Sequence, residues 1–229
     1  MNHFHVQLIP RYSFEQRGSK NFVKERKYVI LNEVYIKKFY TVCKENKIMI
    51  FGAVLAGGIG SRMGNVEKPK QYLNIAGKPI IIHTLEKFQY NSNIDLIYVA
   101  CKEDLIPLFN ELIHKYQITK IPNNGVVPGG KTGQDSIYNA LCAAKRENSG
   151  DSIVLIHDGV RPIITDDVIN KNIESVIQNG SAITCTACYE TPVISYNSKD
   201  IDELPKRRFV YTAQAPQSFY LDKILEAHE

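Results

Sequence analysis

A glycine cluster followed by two basic side chains is the part of the sequence best suited to chemistry. The segment 55–64, LAGGIGSRMG, contains Gly57, Gly58 and Arg62, and Lys70 follows it. Glycine has no Cβ, so its backbone can approach a ligand closely, and successive amides that point the same way form a nest for an anion. Arg62 and Lys70 would add positive charge to such a phosphate site. The predicted backbone contacts are Leu55, Ala56, Gly57 and Gly58.

This glycine loop differs from the loop of a dinucleotide-binding domain. The spacing of Gly58, Gly60 and Gly64 is one residue longer than the GxGxxG pattern. A dinucleotide-binding domain also has an acidic residue about 20 positions further on, at the end of a second strand. Residues 75–85 contain no acidic residue. We therefore expect the loop to bind nucleotide phosphates in another kind of α/β domain.

A second glycine segment offers a competing interpretation. Gly125–Thr132 matches the P-loop pattern GxxxxGK[ST], and residues 154–158 resemble the acidic strand that holds magnesium in P-loop enzymes. The preceding residues 118–124 contain a lysine, a proline and two asparagines, which is a poor composition for a buried strand. The P-loop interpretation also leaves Arg62 and Lys70 without a role. Under this second interpretation the protein would be a P-loop ATPase, which is an alternative from a different functional class.

The elements that must position these residues alternate between strand and helix signals. The predicted strands cover residues 48–55, 96–101, 152–157 and 182–187, and the predicted helices cover 80–89, 104–116, 134–146 and 166–178. Thr165 is the predicted cap of the last helix. This order predicts a three-layer α/β domain with a mostly parallel sheet, in which ligands bind beyond the carboxyl ends of the strands. Residues 197–208 are polar and charged and are predicted to form an exposed β-arm.

Composition and charge exclude several classes of protein. The chain has 229 residues, of which 44% are hydrophobic and 23% charged, as in soluble globular proteins. It has no run near the roughly 18 apolar residues of a membrane span and no secretory signal. The net charge of +4, without a long basic stripe, argues against a nucleic-acid partner. Five cysteines, an odd number, predict a reducing, cytoplasmic setting.

Several separated motifs resemble one enzyme family. They are residues 55–58 (LAGG) with Arg62-Met63, 68–72 (KPKQY), Gly129-Gly130, Asp135-Ser136, 157–162 (HDGVRP) and 215–217 (APQ). Over about residues 50–229 the chain resembles the cytidylyltransferases that act on ribitol 5-phosphate, on other polyol phosphates or on 2-C-methyl-D-erythritol 4-phosphate. The resemblance implies a Rossmann-like, GT-A-like nucleotidyltransferase fold. It also implies transfer of CMP from CTP to a polyol or sugar phosphate, release of pyrophosphate, and Mg²⁺ as cofactor.

The resemblance assigns a nucleotide side to the site. Gly130, Lys131 and Ser136 would line the base and ribose of CTP, with the backbone near Gly130 and the Ser136 hydroxyl contacting the pyrimidine edge. The family often has an acidic residue where this chain has Lys131. Arg62 and Lys70 would stabilise the five-coordinate phosphorus and the departing pyrophosphate.

The resemblance also assigns an acceptor side. A phosphate monoester has a second pKa of about 6, so its attacking oxygen is already charged at neutral pH and needs no general base. Asp158 is the carboxylate expected near Mg²⁺ or the acceptor hydroxyls, with Arg161 close by. Arg207 matches the family arginine that grips the acceptor phosphate, and Thr191 is a further candidate for the acceptor pocket. Ala215 stands where relatives often have threonine.

The choice of acceptor depends on small differences between branches of the family. Residues 56–65 and the Gly159-Val160 pair are more similar to the ribitol 5-phosphate branch, whereas the methylerythritol branch more often has two alanines after the aspartate. We therefore favour ribitol 5-phosphate, with 2-C-methyl-D-erythritol 4-phosphate as the alternative. A non-catalytic nucleotide-binding module is a further alternative.

The two ends of the chain differ from the central region. His3, His5 and Gln7, followed by residues 9–11 (IPR), resemble the histidine motif of the HIT family. We expect residues 1–47 to be a remnant of the C-terminal end of a HIT-like domain. Residues 48–229 are then a cytidylyltransferase domain that stops short of the usual C-terminal end. By resemblance, the protein forms a homodimer through the exposed arm.

Overall fold

The apolar runs predicted as strands form the centre of one sheet. The computed structural model describes residues 7–10, 48–58, 69–148 and 150–228. Its strands are β1 (Gln7–Pro10), β2 (Met49–Ala56), β3 (Asn74–Ile75), β4 (Lys78–Pro79), β5 (Leu96–Cys101), β6 (Val126–Pro128), β7 (Ser152–Asp158), β8 (Ser181–Ala187) and β9 (Tyr211–Tyr220). The four predicted strands correspond to β2, β5, β7 and β8, each shifted by at most one residue at either end.

Within the described residues, four helices connect strands of the main sheet and a fifth follows β9. They are α1 (Ile80–Tyr90), α2 (Ile106–Lys115), α3 (Gly133–Glu147), α4 (Asp166–Asn179) and α5 (Leu221–Glu226). The predicted cap is confirmed, because the Thr165 side chain accepts a hydrogen bond from the Val168 amide at the start of α4. The helix predicted over 104–116 is shorter, since a 3-10 turn at Glu103–Leu105 precedes it and Pro107 occupies its first turn. Proline has no amide hydrogen to donate and is tolerated only in that first turn.

The sheet is mostly parallel, as predicted. Its strand order is β1-β8-β9-β7-β2-β5-β6, and β3 pairs with β4 in a separate two-stranded ribbon. The pairs β2–β5, β2–β7, β5–β6 and β1–β8 are parallel, whereas β9 is antiparallel to both β7 and β8. The carboxyl ends of β2, β5 and β7 therefore lie at the same edge of the sheet.

Side chains that alternate along β2 separate the two covered faces of the sheet. Ile50 and Val54 face a core built with α1, α2 and α4, whereas Phe51 and Ala53 face a second core built with α3 and α5. Phe51 and Val54 have no exposed surface. A parallel strand buried on both faces needs such a continuous apolar sequence. The predicted three-layer architecture follows from these two cores.

The segment between β8 and β9 forms the predicted exposed arm. Ile194 makes an isolated antiparallel bridge with Glu203, and the Tyr196 hydroxyl donates to the Glu203 carboxylate at 2.7 Å. We call residues 189–210 the arm. Its large apolar side chains are mostly exposed to solvent, with Tyr189, Tyr196 and Phe209 about 70% accessible or more. Unlike the layered domain, the arm has little core of its own.

Two further expectations from the sequence concern membrane spans and the N-terminal segment, and the described residues test only part of them. No helix in the described ranges is long and apolar enough to cross a membrane. Residues 7–10 form a strand, as the alternating N-terminal sequence indicates, and this strand pairs with β8 of the main sheet. His3 and His5 lie outside the described residues, so the HIT-like remnant and the domain boundary near residue 47 stay predictions.

Candidate functional site

A cavity of about 650 Å³ opens where the carboxyl ends of β2 and β7 meet the start of α3. It brings together Lys70 and all nine residues predicted to bind nucleotide or metal. Its lining consists of Leu55, Ala56, Gly57, Gly58, Lys70, Gln71, Gly130, Lys131, Thr132, Gly133, Ser136, Asp158, Val160 and Arg161. Residues more than 100 positions apart in the chain therefore share one concave surface, the usual setting of a ligand site in an open α/β sheet.

The first wall is the glycine loop that follows β2. Gly57 and Gly58 continue directly from the last residue of that strand and line the cavity. A Cβ on Gly57 would lie 3.6 Å from the Ser136 hydroxyl, and a Cβ on Gly58 would meet none of the described residues within 4 Å. The Gln71 side-chain amide donates to the carbonyl oxygens of Ala56 at 2.7 Å and of Gly58 at 3.2 Å. A side chain of the next described segment therefore holds the glycine loop through two hydrogen bonds.

The second wall is the loop between β6 and α3. The Gly130 amide donates to the Ser136 hydroxyl at 3.0 Å, and that hydroxyl donates to the Thr132 carbonyl at 3.0 Å. A Cβ on Gly130 would come within 2.0 Å of the Asp135 Cβ, so the loop closes only with glycine there. The Ser136 hydroxyl, predicted to contact the pyrimidine, uses its only proton to shape this loop. A contact from that hydroxyl to a base would therefore be made by its oxygen as an acceptor.

The N-terminus of α3 faces the same cavity. Thr132 and Gly133 line it, and Thr132 caps the helix by accepting from the Asp135 amide at 3.1 Å. The Asp135 carboxylate accepts from the Thr132 amide at 2.9 Å, which completes a capping box. Aligned peptide dipoles give a helix N-terminus a partial positive charge that favours phosphate. The N-terminus of α3 and the Lys131 side chain just before it therefore both attract an anion.

The third wall follows β7. The Asp158 carboxylate accepts a hydrogen bond from Arg161 Nε at 2.6 Å, and both side chains are a little over 40% exposed. The Gly159 amide donates to the Leu55 carbonyl at 2.9 Å, and the Thr84 hydroxyl donates to the Gly159 carbonyl at 2.9 Å. A Cβ on Gly159 would lie 2.9 Å from that same Leu55 oxygen. The turn carrying Asp158 is therefore pressed against the end of β2.

The charges that line the cavity favour an anionic ligand. Among the described lining residues, Lys70, Lys131 and Arg161 contribute three positive side chains, and Asp158 is the single acidic residue. Asp158 is paired with Arg161, so within this described lining no carboxylate is paired with Lys70 or Lys131. Cations in a cleft with low-dielectric walls raise the local concentration of anions. A nucleoside triphosphate fits this balance better than a neutral ligand.

The donor set fits a magnesium ion that is held mainly by substrate. Within the described residues there is no group of three or more histidine, cysteine or acidic side chains that could hold a metal by itself. Mg²⁺ commonly binds through one or two carboxylates together with substrate phosphates and water. Asp158 supplies one such carboxylate, with one oxygen engaged by Arg161 and the other available.

Two predicted catalytic residues, Arg62 and Arg207, are not among the described residues of the cavity lining. Arg62 lies outside the described residues. Arg207 lies on the arm, in a 3-10 turn, and its guanidinium donates to the Tyr189 carbonyl at 3.1 Å. Thr191, the further candidate for the acceptor pocket, is an exposed residue of the same arm. The acceptor-side residues of the arm are thus separate from the nucleotide-side residues in this chain.

Four lining residues were missed by the residue-by-residue prediction. They are Gln71, Thr132, Gly133 and Val160. Gln71 stands in the quoted motif 68–72, and Thr132 is a threonine three residues before an aspartate, the signature of a capping box. The signal of a helix start beside a glycine pair could have found Thr132 and Gly133. Nothing in the sequence indicates that the Gln71 amide meets the glycine loop.

The segment Gly125–Thr132 does not fold as a P-loop. Its residues Val126–Pro128 form β6 and pair with the end of β5, so the middle of the pattern is an edge strand. A P-loop requires those residues to be the loop that wraps the phosphates. The P-loop interpretation is therefore wrong in its geometry, although Lys131 and Thr132 do line the cavity. Both glycine segments contribute to one site.

The cysteines near the site are core residues. Burial, and to a smaller extent the nearby Asp104 carboxylate, raise the pKa of the Cys101 thiol to about 12, so it stays protonated and is a poor nucleophile. Cys185 is buried in β8, and its pKa is also raised by burial. Cys101, Cys142, Cys185 and Cys188 are all free thiols. A cysteine-based reaction is not supported by these environments.

Comparisons with known proteins agree with the geometry of the site. Residues 50–229 match the model of the family described as IspD, 2-C-methyl-D-erythritol 4-phosphate cytidylyltransferase. A ribitol-5-phosphate cytidylyltransferase of Vibrio parahaemolyticus is 49% identical over 175 residues, covering 76% of this chain and 73% of that protein. One from Streptococcus agalactiae serotype V is 46% identical over 178 residues, covering 78% and 73%.

A solved structure is similar in fold as well. The crystal structure of 4-diphosphocytidyl-2C-methyl-D-erythritol synthase from Anaerococcus prevotii superimposes with a TM-score of 0.65 at 26% identity. The match covers 79% of this chain and 74% of that one.

Proposed function

Because the chain belongs to the IspD family of cytidylyltransferases, we propose that it transfers CMP from CTP to ribitol 5-phosphate and releases pyrophosphate. The observation that carries this proposal is the meeting of the glycine loop, Lys70 and the N-terminus of α3 on one cavity. That cavity combines backbone amides and cations for a triphosphate with the Asp158–Arg161 pair beside it.

The reaction needs charge stabilisation more than proton transfer. The attacking group is an oxygen of the acceptor phosphate, which is ionised at neutral pH. The electrostatic difficulty is that two anions must meet and that further charge builds up on the phosphorus and the leaving group. Lys70 is half-buried at the start of a 3-10 turn and lines the cavity, which supports the proposal that it neutralises that charge. Arg62 follows the glycine loop in sequence and is proposed for the same task.

We propose magnesium as the cofactor, with Asp158 as its protein ligand. When bound, the ion would neutralise and orient the triphosphate oxygens. The chain's own part is to hold the Asp158 carboxylate in place, which it does through Arg161 Nε and through the Gly159 amide bonded to Leu55. Arg161 also donates to the Gln214 side-chain oxygen at 3.3 Å. Asp158 is thus presented to the cavity by a small network rather than by a flexible loop.

Ribitol 5-phosphate is favoured as the acceptor for two reasons. The two relatives compared at 46–49% identity carry the name ribitol-5-phosphate cytidylyltransferase. The Gly159-Val160 pair stands where the methylerythritol branch more often has two alanines, and a Cβ at 159 would be compressed against the Leu55 oxygen. The family description and the similar solved structure name methylerythritol chemistry instead, which makes 2-C-methyl-D-erythritol 4-phosphate the second candidate.

The experiment that tests the function is an assay of pyrophosphate release with CTP and each acceptor in turn. We expect release with ribitol 5-phosphate and Mg²⁺, and loss of that release when the metal is chelated. Faster release with 2-C-methyl-D-erythritol 4-phosphate would replace the proposed acceptor. Nucleotide hydrolysis without any acceptor, or CTP binding without turnover, would contradict the transferase function.

We further propose that the protein acts as a cytoplasmic homodimer joined through the arm. The arm exposes Tyr189, Val193, Tyr196, Ile201, Leu204 and Phe209, and the exposed Tyr211 follows at the start of β9. An exposed apolar patch of this kind is typical of an interaction surface. The free cysteines of the described chain are in keeping with a reducing compartment. Analytical ultracentrifugation would test the dimer, and a monomer at micromolar concentration would contradict it.

A further inference from the structure

Gln71 joins the glycine loop to the 3-10 turn that begins at Lys70, two parts of the cavity lining that are separated by more than ten residues in the chain. It is 2% exposed, and it is the middle residue of the 3-10 turn Lys70–Tyr72. Its side-chain amide donates to the carbonyls of Ala56 and Gly58 on either side of Gly57. No role in binding or catalysis has been assigned to this residue above.

The chemistry of these contacts requires a side-chain donor. Both partners are backbone carbonyl oxygens, which only accept, so the amide nitrogen and not the amide oxygen must face them. The trans peptide is planar, and its N–H points away from its own C=O. Holding the Ala56 oxygen toward Gln71 therefore turns the Gly57 N–H to the opposite side. The same two hydrogen bonds also keep the Ala56 and Gly58 carbonyl oxygens from rotating toward a bound phosphate.

The turn that carries Gln71 is itself anchored. The Tyr72 side chain packs into the core on the α1 face, and its amide donates to the Pro69 carbonyl at 2.9 Å. The Ile80 amide at the start of α1 donates to the Leu73 carbonyl at 3.0 Å. These contacts fix the turn against the core. Through its two hydrogen bonds, Gln71 therefore restricts a glycine loop that would otherwise have wide conformational freedom.

We propose that Gln71 is a positioning residue for CTP, which sets the glycine-loop amides and Lys70 in one fixed arrangement. This proposal rests on the cytidylyltransferase function. It predicts that loss of the donor impairs both CTP binding and turnover, because the loop and Lys70 lose their common anchor. The affinity for the acceptor, which belongs to the other side of the cavity, stays unchanged.

The test replaces the donor while keeping the length of the side chain. Gln71→Met removes both hydrogen bonds, and Gln89→Met is the matched control. The Gln89 amide donates to the Thr119 hydroxyl at 2.8 Å, near the C-terminal end of α1 and the start of β5, at the opposite edge of the sheet. CTP and ribitol 5-phosphate are varied separately in the pyrophosphate assay. Calorimetry measures CTP binding, and thermal melting follows the fold.

We expect Gln71→Met to raise KM for CTP about tenfold and to lower kcat about tenfold, the scale of a misplaced reacting group. KM for ribitol 5-phosphate should stay within about twofold of the wild type, and Gln89→Met should behave as wild type in all three parameters. Equal kinetic parameters in the two methionine variants, or a rise in the acceptor KM as large as that for CTP, would overturn the proposal.

A second variant keeps the test decisive if Gln71→Met does not fold. Gln71→Glu has only acceptors when ionised, so it should weaken CTP binding more than Gln71→Met at pH 8. Burial raises the pKa of a carboxyl group. Below that pKa the protonated acid becomes a donor again, so CTP affinity relative to wild type should recover as pH falls. Absence of recovery would count against the donor role.

The outcomes for Gln71 and for the proposed function can be told apart. Wild-type protein that binds CTP but releases no pyrophosphate with either acceptor contradicts the function, and CTP affinity of the variants still tests Gln71. Active wild-type protein with unchanged Gln71 variants contradicts the positioning role alone.

Discussion

The cavity walls and the arm carry the two halves of the predicted site, and they are built in opposite ways. Around the cavity, short hydrogen bonds hold each turn, and glycines at 130 and 159 allow backbone contacts that no other residue permits. On the arm, Arg207 makes one described hydrogen bond, to the Tyr189 carbonyl, and the apolar side chains face solvent. The residues predicted to bind the nucleotide are held by hydrogen bonds within the chain, whereas the residues of the arm predicted to bind the acceptor are exposed.

This difference predicts how each region responds to substitution. A residue in a preorganised wall acts on CTP and on the transition state, and its loss should be large and specific. A residue on the exposed arm should affect the acceptor or the assembly and leave CTP binding intact. The following substitutions test that separation, from the largest expected effect to the smallest.

Lys70→Ala should have the largest effect. Removing one charge contact from the transition state typically costs a hundredfold or more in turnover, so kcat should fall by about that factor while the protein stays folded. Steady-state pyrophosphate release and a thermal melt measure the two properties. Near-normal turnover in a folded variant would remove Lys70 from the catalytic set.

Gly159→Ala should come next. The added Cβ meets the Leu55 carbonyl at 2.9 Å and the Ile81 Cδ1 at 2.5 Å, so the turn that carries Asp158 must shift. Displacement of reacting groups on the scale of 1 Å can cost up to about a hundredfold, and we expect kcat/KM to fall by about twentyfold. The control is Gly150→Ala, because a Cβ there meets nothing within 4 Å. Equal activity of the two variants would show that the tight contact at 159 is unimportant.

Arg207→Ala tests the arm directly. Loss of a charge-assisted hydrogen bond to phosphate is worth about 1.5–3 kcal/mol, so KM for the acceptor should rise by at least about tenfold, and KM for CTP should not change. Arg208→Ala is the neighbouring control, since the Arg208 guanidinium lies 4.7 Å from the centre of the Phe209 ring. If Arg208→Ala raised the acceptor KM and Arg207→Ala did not, the assignment would pass to Arg208.

The smallest expected effects are changes in the free energy of unfolding, caused by substitutions away from the cavity. The Ser218 hydroxyl donates to the Asn172 side-chain oxygen at 3.0 Å, and both residues are fully buried. Ser218→Ala should lower the free energy of unfolding by about 1 kcal/mol, because it leaves a buried acceptor without that donor. Tyr196→Phe removes the exposed hydrogen bond to Glu203 on the arm and should leave stability unchanged. Urea denaturation compares them, and an equal loss in both would contradict the contrast between core and arm.

Much of the fold could be predicted because its signals are local. The apolar runs at 96–101 and 152–157 are short and uninterrupted, which is what a strand buried on both faces needs. Thr165 before an amphipathic segment is a cap whose hydrogen bond spans only three residues. The helix predicted from residue 104 begins two residues later, at Ile106. Pro107 is tolerated only in the first turn of a helix, which favours a start close to it.

The part of the site that could not be predicted depends on long-range contacts. Gln71 meets carbonyls 13 and 15 residues away, and Arg161 meets Gln214 at a separation of 53. The P-loop prediction failed because it used a local pattern alone. The sequence Gly125–Thr132 matches that pattern, but Val126–Pro128 pair with β5 and form a strand where the pattern predicts a loop.

The sequence by itself determined the order of the four predicted strands and the four predicted helices, the two glycine segments and the residue types that can hold phosphate. These properties come from composition and spacing within a few residues. Only the tertiary structure decided that both glycine segments share one cavity, that Ser136 shapes a loop, and that the Gln71 amide holds the glycine loop. The physical reason is that parallel strands place their carboxyl ends side by side regardless of their separation in the chain, so the site forms only when the sheet does.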